Sequence, residues 1–267
     1  MAYVIALSGK GGTGKTTIAA LTIRYLVEKK HKPVLAVDAD SNSCLNEALG
    51  VSVHATVGRL REESLTTVRS GAERPGGMSM EQLFDYQIQQ AIVESKGFDL
   101  LVMGRPEGPG CYCAANNIIR KYTDKLSEKY PYVVIDNEAG MEHLSRRTTH
   151  RVNLMLIISD PTQKGVETAK RIGNLIDELS LEIDRKILII NRASDKESTQ
   201  LENKKILTGF TKLKEMVKAS DFEAVAYIPE DEEVLVFDLE GKPVFKLPPD
   251  SKAVTSLFGL LDSLKIP

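Results

Sequence analysis

The sequence predicts an α/β fold with a mostly parallel central sheet and helices on both faces. Three observations predict it. Strand-like and helix-like segments alternate along the chain, the pattern of a parallel sheet built with right-handed crossovers. Several strand candidates are nearly unbroken apolar runs, such as Val152-Asn153-Leu154-Met155-Leu156-Ile157-Ile158, which suits strands covered on both faces. A glycine-rich loop joins the first strand candidate to the first helix candidate.

The first strand is expected at 3–8 and the first helix at about 15–30, where Ile18, Leu21, Ile23, Leu26 and Val27 are apolar. Further strands are expected at 33–37, 98–103, 132–136, 152–158, 186–191 and 223–228, with helices near 80–95, 113–129, 162–180 and 199–218. Ser70 to Ser79, with Gly71, Pro75, Gly76 and Gly77, is the best candidate for an exposed loop. The last segment, Ser251 to Lys265, is an amphipathic helix with only Lys252 and Lys265 as basic residues, too few for anionic-lipid binding, and is expected to pack on the sheet. The whole chain, 1–267, reads as one domain with a substantial core. In such sheets ligands bind beyond the carboxyl ends of the strands.

The net charge of −2 and 42% hydrophobic residues are those of an ordinary globular protein, and argue against one built to coat nucleic acid. Three cysteines and no secretory signal point to a reducing cytoplasm. No apolar run approaches the roughly 20 residues that span a bilayer, so no membrane partner is expected.

The loop Gly9-Lys10-Gly11-Gly12-Thr13-Gly14-Lys15-Thr16-Thr17 matches G-x-x-x-x-G-K-[ST], the phosphate-binding loop of P-loop NTPases. Strand, glycine loop and helix N-terminus together place backbone N–H groups around an anion. Lys15 is expected on the β- and γ-phosphates of ATP and the Thr16 hydroxyl on Mg²⁺.

Lys10, directly before Gly11, occupies a position that the general motif leaves free. With it the chain resembles the deviant Walker A ATPases, the MinD-like and nitrogenase-iron-protein-like group with the pattern K-G-G-x-G-K-T. The resemblance implies that Lys10 crosses a homodimer interface and contacts the partner's nucleotide, as an arginine finger does elsewhere. Asp38-Ala39-Asp40-Ser41-Asn42 resembles that group's first switch, which implies that Asp40 holds the attacking water and Asp38 supports Mg²⁺ or the loop. Asp136-Asn137-Glu138-Ala139-Gly140 looks like its second switch, with Asp136 toward Mg²⁺ and the Gly140 N–H toward the γ-phosphate. Asn191, after the strand Lys186 to Ile190, is implied to pair with the adenine edge, and Pro229 to lie beside the base.

Gly104-Arg105-Pro106-Glu107-Gly108-Pro109-Gly110-Cys111-Tyr112-Cys113 is the most distinctive segment after the ATP loop. A helical pattern follows the two cysteines, and thiolates near a helix N-terminus ionise readily and bind soft metals. A disulfide between them would close a tight, strained ring. Two sulfurs fill half of a four-coordinate shell, and a dimer axis between two such loops would supply the rest. Together with Val37-Asp38-Ala39-Asp40-Ser41-Asn42-Ser43-Cys44-Leu45 and Glu138-Ala139-Gly140-Met141-Glu142-His143-Leu144, this segment resembles the CooC-type ATPases, including AcsF proteins. These are nickel-insertion accessory proteins for carbon monoxide dehydrogenase and acetyl-CoA synthase. The resemblance implies a homodimer that uses ATP and Mg²⁺ and carries nickel or zinc on Cys111 and Cys113, with one of those two enzymes as client. Cys44 is expected to be a small buried residue, and the four histidines show no ligand spacing. A MinD- or ParA-like positioning ATPase and an iron–sulfur electron-transfer ATPase are the competing readings.

Overall fold

The computed structural model describes residues 2–70, 77–105, 112–139, 151–193 and 222–267. Eight strands form one sheet in the order β3-β4-β2-β5-β1-β6-β7-β8. The strands are β1 Tyr3–Gly9, β2 Val34–Ala39, β3 Val93–Glu94, β4 Phe98–Val102, β5 Tyr132–Asn137, β6 Arg151–Ser159, β7 Glu182–Ala193 and β8 Ala224–Pro229. Every pairing is parallel except β3 with β4, at one edge. The described helices are α1 Lys15–Tyr25, α2 Leu45–Leu49, α3 Val57–Ser70, α4 Met80–Ala91, α5 Tyr112–Ser127, α6 Gln163–Glu178, α7 Glu232–Leu239 and α8 Lys252–Ser263.

Successive strand residues point to opposite faces, so the apolar runs feed two cores. Ile5, Leu7, Val34, Ala36 and Val134 pack with α1 and α8 on one face. Ala6, Leu35, Val37, Val133 and Ile135 pack with α3, α5 and α6 on the other. Burying both faces is why these strands read as apolar runs rather than as alternating ones.

The expected strands appear within a few residues of their places, and two helical expectations change. The first helix continues past Tyr25 as a π-helical turn, Leu26–Lys30. The helix expected over 80–95 ends at Ala91, because Ile92 is extended (φ −68°, ψ 125°) and Val93–Glu94 pairs with β4; two adjacent β-branched residues favour that change. The helix expected at 199–218 lies outside the described residues. Of the loop expected over 70–79, Gly77 to Ser79 is exposed. Ser79 forms a capping box with Gln82 at the start of α4.

The C-terminal helix α8 is a core element. Leu257 and Leu261 are fully buried, and Tyr25 meets Phe258 edge to face at 5.3 Å. The Tyr25 hydroxyl donates to Asp262 (2.7 Å), and Arg24 and Lys30 donate to the carbonyls of Leu247 and Ile266. The apolar face seen in the sequence is therefore used internally. Among the described residues no helix is long and apolar enough to cross a membrane.

Candidate functional site

The carboxyl ends of β1, β2 and β5 converge on the glycine loop. Gly9 ends β1 against β6, where a Cβ would sit 2.3 Å from the Ile158 carbonyl, so no other residue fits. Gly14 caps α1 in the left-handed region (φ 88°), and its Cβ would fall 2.4 Å from Asn191 Nδ2. Between them the Lys10 carbonyl accepts from the Thr13 hydroxyl (2.8 Å) and from Lys15 Nζ (3.4 Å). Lys15 is buried, and burial lowers its pKa against the pull of Asp136 and Asp40. Lys10, Gly11 and Gly12 are exposed at the loop's outer edge, while Thr13 is buried and Thr16 half-buried.

Three carboxylates face this loop. Asp38 and Asp136 are paired across β2 and β5 and are 0% and 2% exposed. Burial pushes the Asp38 carboxyl up to about 7, although the N–H groups of Leu45 (3.0 Å) and Asp40 (3.1 Å) donate to it. Burial likewise pushes Asp136 up to about 6, against hydrogen bonding from Thr16 and the charge of Lys15. Thr16 Oγ1 donates to Asp136 Oδ2 at 2.7 Å, while Asp136 Oδ1 is buried without a partner. Asp40, half-buried, accepts from the Asn42 N–H (2.9 Å), which shapes the turn after β2.

The residues present fit a magnesium ion. A hydroxyl and a carboxylate are hard oxygen donors. An orphaned carboxylate oxygen beside two further aspartates is an arrangement that a dication would relieve.

The side of the site next to the glycine loop is built by β7 and β8. Asn191 Nδ2 donates to the Thr13 carbonyl at 2.8 Å, and Arg192 Nη1 to the Gly12 carbonyl at 3.3 Å. A cavity of about 980 Å³ opens here, lined by Thr17, Asn191, Arg192, Pro229, Val234 and Ser251 among others. Asp231 closes its floor by accepting from Ser251 Oγ (2.6 Å) and the Ala253 N–H (2.9 Å), which ties the start of α7 to that of α8.

Comparison with known proteins agrees with this geometry. Residues 4–244 match the CobQ/CobB/MinD/ParA nucleotide binding domain. The chain belongs to that family. It is 41% identical over 249 residues to an uncharacterized ATP-binding protein of Methanocaldococcus jannaschii, MJ0685, with 93% of each chain covered. It is 29% identical over 253 residues to the carbon monoxide dehydrogenase accessory protein CooC of Rhodospirillum rubrum, covering 92% of this chain and 90% of that one. The fold is that of the septum site-determining protein MinD of Pyrococcus horikoshii complexed with Mg-ADP (TM-score 0.66, 23% identity, 99% and 96% covered). The protein is a P-loop ATPase of the MinD/ParA type, a family in which ATP and Mg²⁺ are the usual ligands and dimers are common.

For a MinD/ParA-type ATPase, two of the sequence-derived site residues, Cys111 and Gly140, lie outside the described residues. Cys113 falls in the first turn of α5, whose opening turn carries no acidic residue; nothing is described of its side chain. Cys44 corrects an expectation: it is exposed, not buried, because it caps the short helix α2 at the surface. Its thiol is nevertheless held toward the neutral form by partial burial and by Glu47, Asp38 and Asp40. Among the described residues no group of three His, Cys, Asp or Glu is arranged as a metal cage. Sequence reasoning missed Arg192. The only signal available was its place directly after Asn191.

Proposed function

We propose that this ATPase is a metallochaperone that uses ATP hydrolysis to deliver nickel to the active-site cluster of carbon monoxide dehydrogenase or acetyl-CoA synthase. The observation that carries the reading is a backbone link between switch and cysteine loop. The Met103 N–H donates to the Asp38 carbonyl at 2.8 Å, and the chain leaves Met103 toward Cys111 and Cys113. That bond continues the β2–β4 ladder, and in this reading it is the route by which a shift of the Asp38–Asp40 turn would reach the cysteine pair. The CooC relative supports the choice of cargo and client.

In this reading Lys15 neutralises the β- and γ-phosphates, and the N–H groups of Gly11, Gly12, Thr13, Gly14, Thr16 and Thr17 cradle them. Thr16 and Asp136 hold Mg²⁺, which spreads the charge that develops on the transferred phosphoryl group. Asp40 orients the attacking water, and Asp38 holds the turn that presents it. Gly140 senses the γ-phosphate, Asn191 and Pro229 receive the adenine, and Lys10 completes the site of the partner subunit in a homodimer.

Cys111 and Cys113 of two subunits supply four thiolates to one ion, nickel or zinc.

Anaerobic nickel titration tests the reading. One ion per dimer should bind with sulfur-to-metal charge-transfer absorption, and Cys111→Ser with Cys113→Ser should abolish that absorption while ATP binding persists. Full nickel binding by the double variant would overturn it. A brown iron–sulfur chromophore after anaerobic purification would instead favour the electron-transfer alternative.

A further inference from the structure

We infer that Arg192 is a positioning residue that ties the base end of the bound nucleotide to the phosphate loop, an inference that rests on the ATP-site reading above. Three observations on the chain carry it. Arg192 is in the left-handed region (φ 57°), where a side-chain-bearing residue is strained. It sits in the irregularity where β7 slips its register against β8, between Asn191 and Ala193, and bulges re-aim side chains at functional sites. Its guanidinium is thereby turned to the Gly12 carbonyl and also lines the cavity shared with Asn191 and Pro229.

The consequence follows from peptide planarity. A carbonyl and the next residue's N–H lie in one plane and point in opposite directions. Holding the Gly12 carbonyl on the Arg192 side therefore turns the Thr13 N–H to the other side of the loop. Asn191 does the same to the next plane, holding the Thr13 carbonyl and so orienting the Gly14 N–H. Two consecutive peptide planes of the loop are thus set by two consecutive residues of β7. The guanidinium plane is also suited to stacking on an aromatic base that enters the cavity. One side chain then senses the base and aligns a phosphate-binding N–H.

Binding of Mg·ATP and of Mg·tripolyphosphate, which lacks the base, to the native protein, Arg192→Gly and Arg192→Lys tests the inference. Glycine accepts the same backbone conformation without strain, so the variant keeps or gains thermal stability. Arg192→Gly should weaken ATP about tenfold and tripolyphosphate about threefold, as order-of-magnitude expectations for losing one long, solvent-exposed hydrogen bond with and without a stacking contact. Lysine should restore tripolyphosphate binding more fully than ATP binding, because an ammonium can reach the carbonyl but offers no plane. Affinities within twofold of native for both ligands would overturn the inference. So would a loss confined to ATP, which leaves the loop contact without effect, or equal losses for both, which leaves the base contact without effect. Lys15→Ala is the control for the site itself: ATP binding that survives this change refutes the ATP-site reading, whereas its loss beside an unaffected Arg192→Gly refutes the inference on Arg192 alone.

Discussion

Asp38 and Asp136 stand side by side at the carboxyl ends of adjacent parallel strands, both buried. Their carboxyls are pushed up to about 7 and about 6, chiefly by burial. A carboxyl whose folded pKa lies above its unfolded value, 3.8, binds its proton more tightly in the folded state. The stability this gives is fully present below about pH 4 and is lost as pH rises through 6 and 7. The nucleotide-free protein should therefore lose stability, on the order of a few kcal/mol in all, between about pH 4 and pH 7. Asp38→Asn should flatten that slope in urea unfolding at stepped pH. An unchanged slope in the variant would show that other groups govern it.

The hydrogen bond from Thr16 to Asp136 joins the loop to β5 through the oxygens proposed to hold Mg²⁺. Thr16→Ala removes one donor and leaves Asp136 with less support. The Mg²⁺ concentration for half-maximal hydrolysis should rise at least about tenfold, the scale of losing one charged hydrogen bond. An unchanged Mg²⁺ dependence would move the metal elsewhere.

Lys10 is exposed at the loop's rim, whereas Asp40 is half-buried behind it. This suits a lysine acting on a neighbour and an aspartate acting on its own site. Mixing Lys10→Ala with Asp40→Ala should partly recover hydrolysis, because one site of the mixed dimer keeps both groups. Mixed dimers that form yet stay inactive would contradict the trans role.

Leu257 is fully buried under α1 and the sheet. Leu257→Ala should cost about 2–5 kcal/mol of stability, read by denaturant unfolding. The native protein should stay in the supernatant when anionic vesicles are sedimented. Vesicle binding combined with an unperturbed Leu257→Ala variant would show that α8 works as a surface helix.

What the sequence made legible follows from local chemistry. Strands buried on both faces advertise themselves as apolar runs, so Val34–Ala39 and Tyr132–Asn137 are readable to within a residue or two. The glycine loop is readable because only glycine fits against Ile158 and Asn191. Helix α3, by contrast, is rich in polar and charged residues, and its apolar positions are too sparse to stand out. The exposure of Cys44 and the left-handed backbone of Arg192 were not legible, because both depend on where a strand ends against its neighbours. The ties from Asn191 and Arg192 to the loop span 178 and 180 residues, and no local pattern records them.

The central claim is that ATP drives metal transfer, so nickel affinity must depend on the nucleotide state. Nickel binding to the Asp40→Ala variant, which is expected to hold ATP without hydrolysing it, should be measured by anaerobic titration with Mg·ATP and with Mg·ADP. The account predicts affinities that differ at least about fivefold, with ATP affinity shifted by the same factor when nickel is bound, as linkage requires. Identical nickel affinities in the two nucleotide states would contradict it.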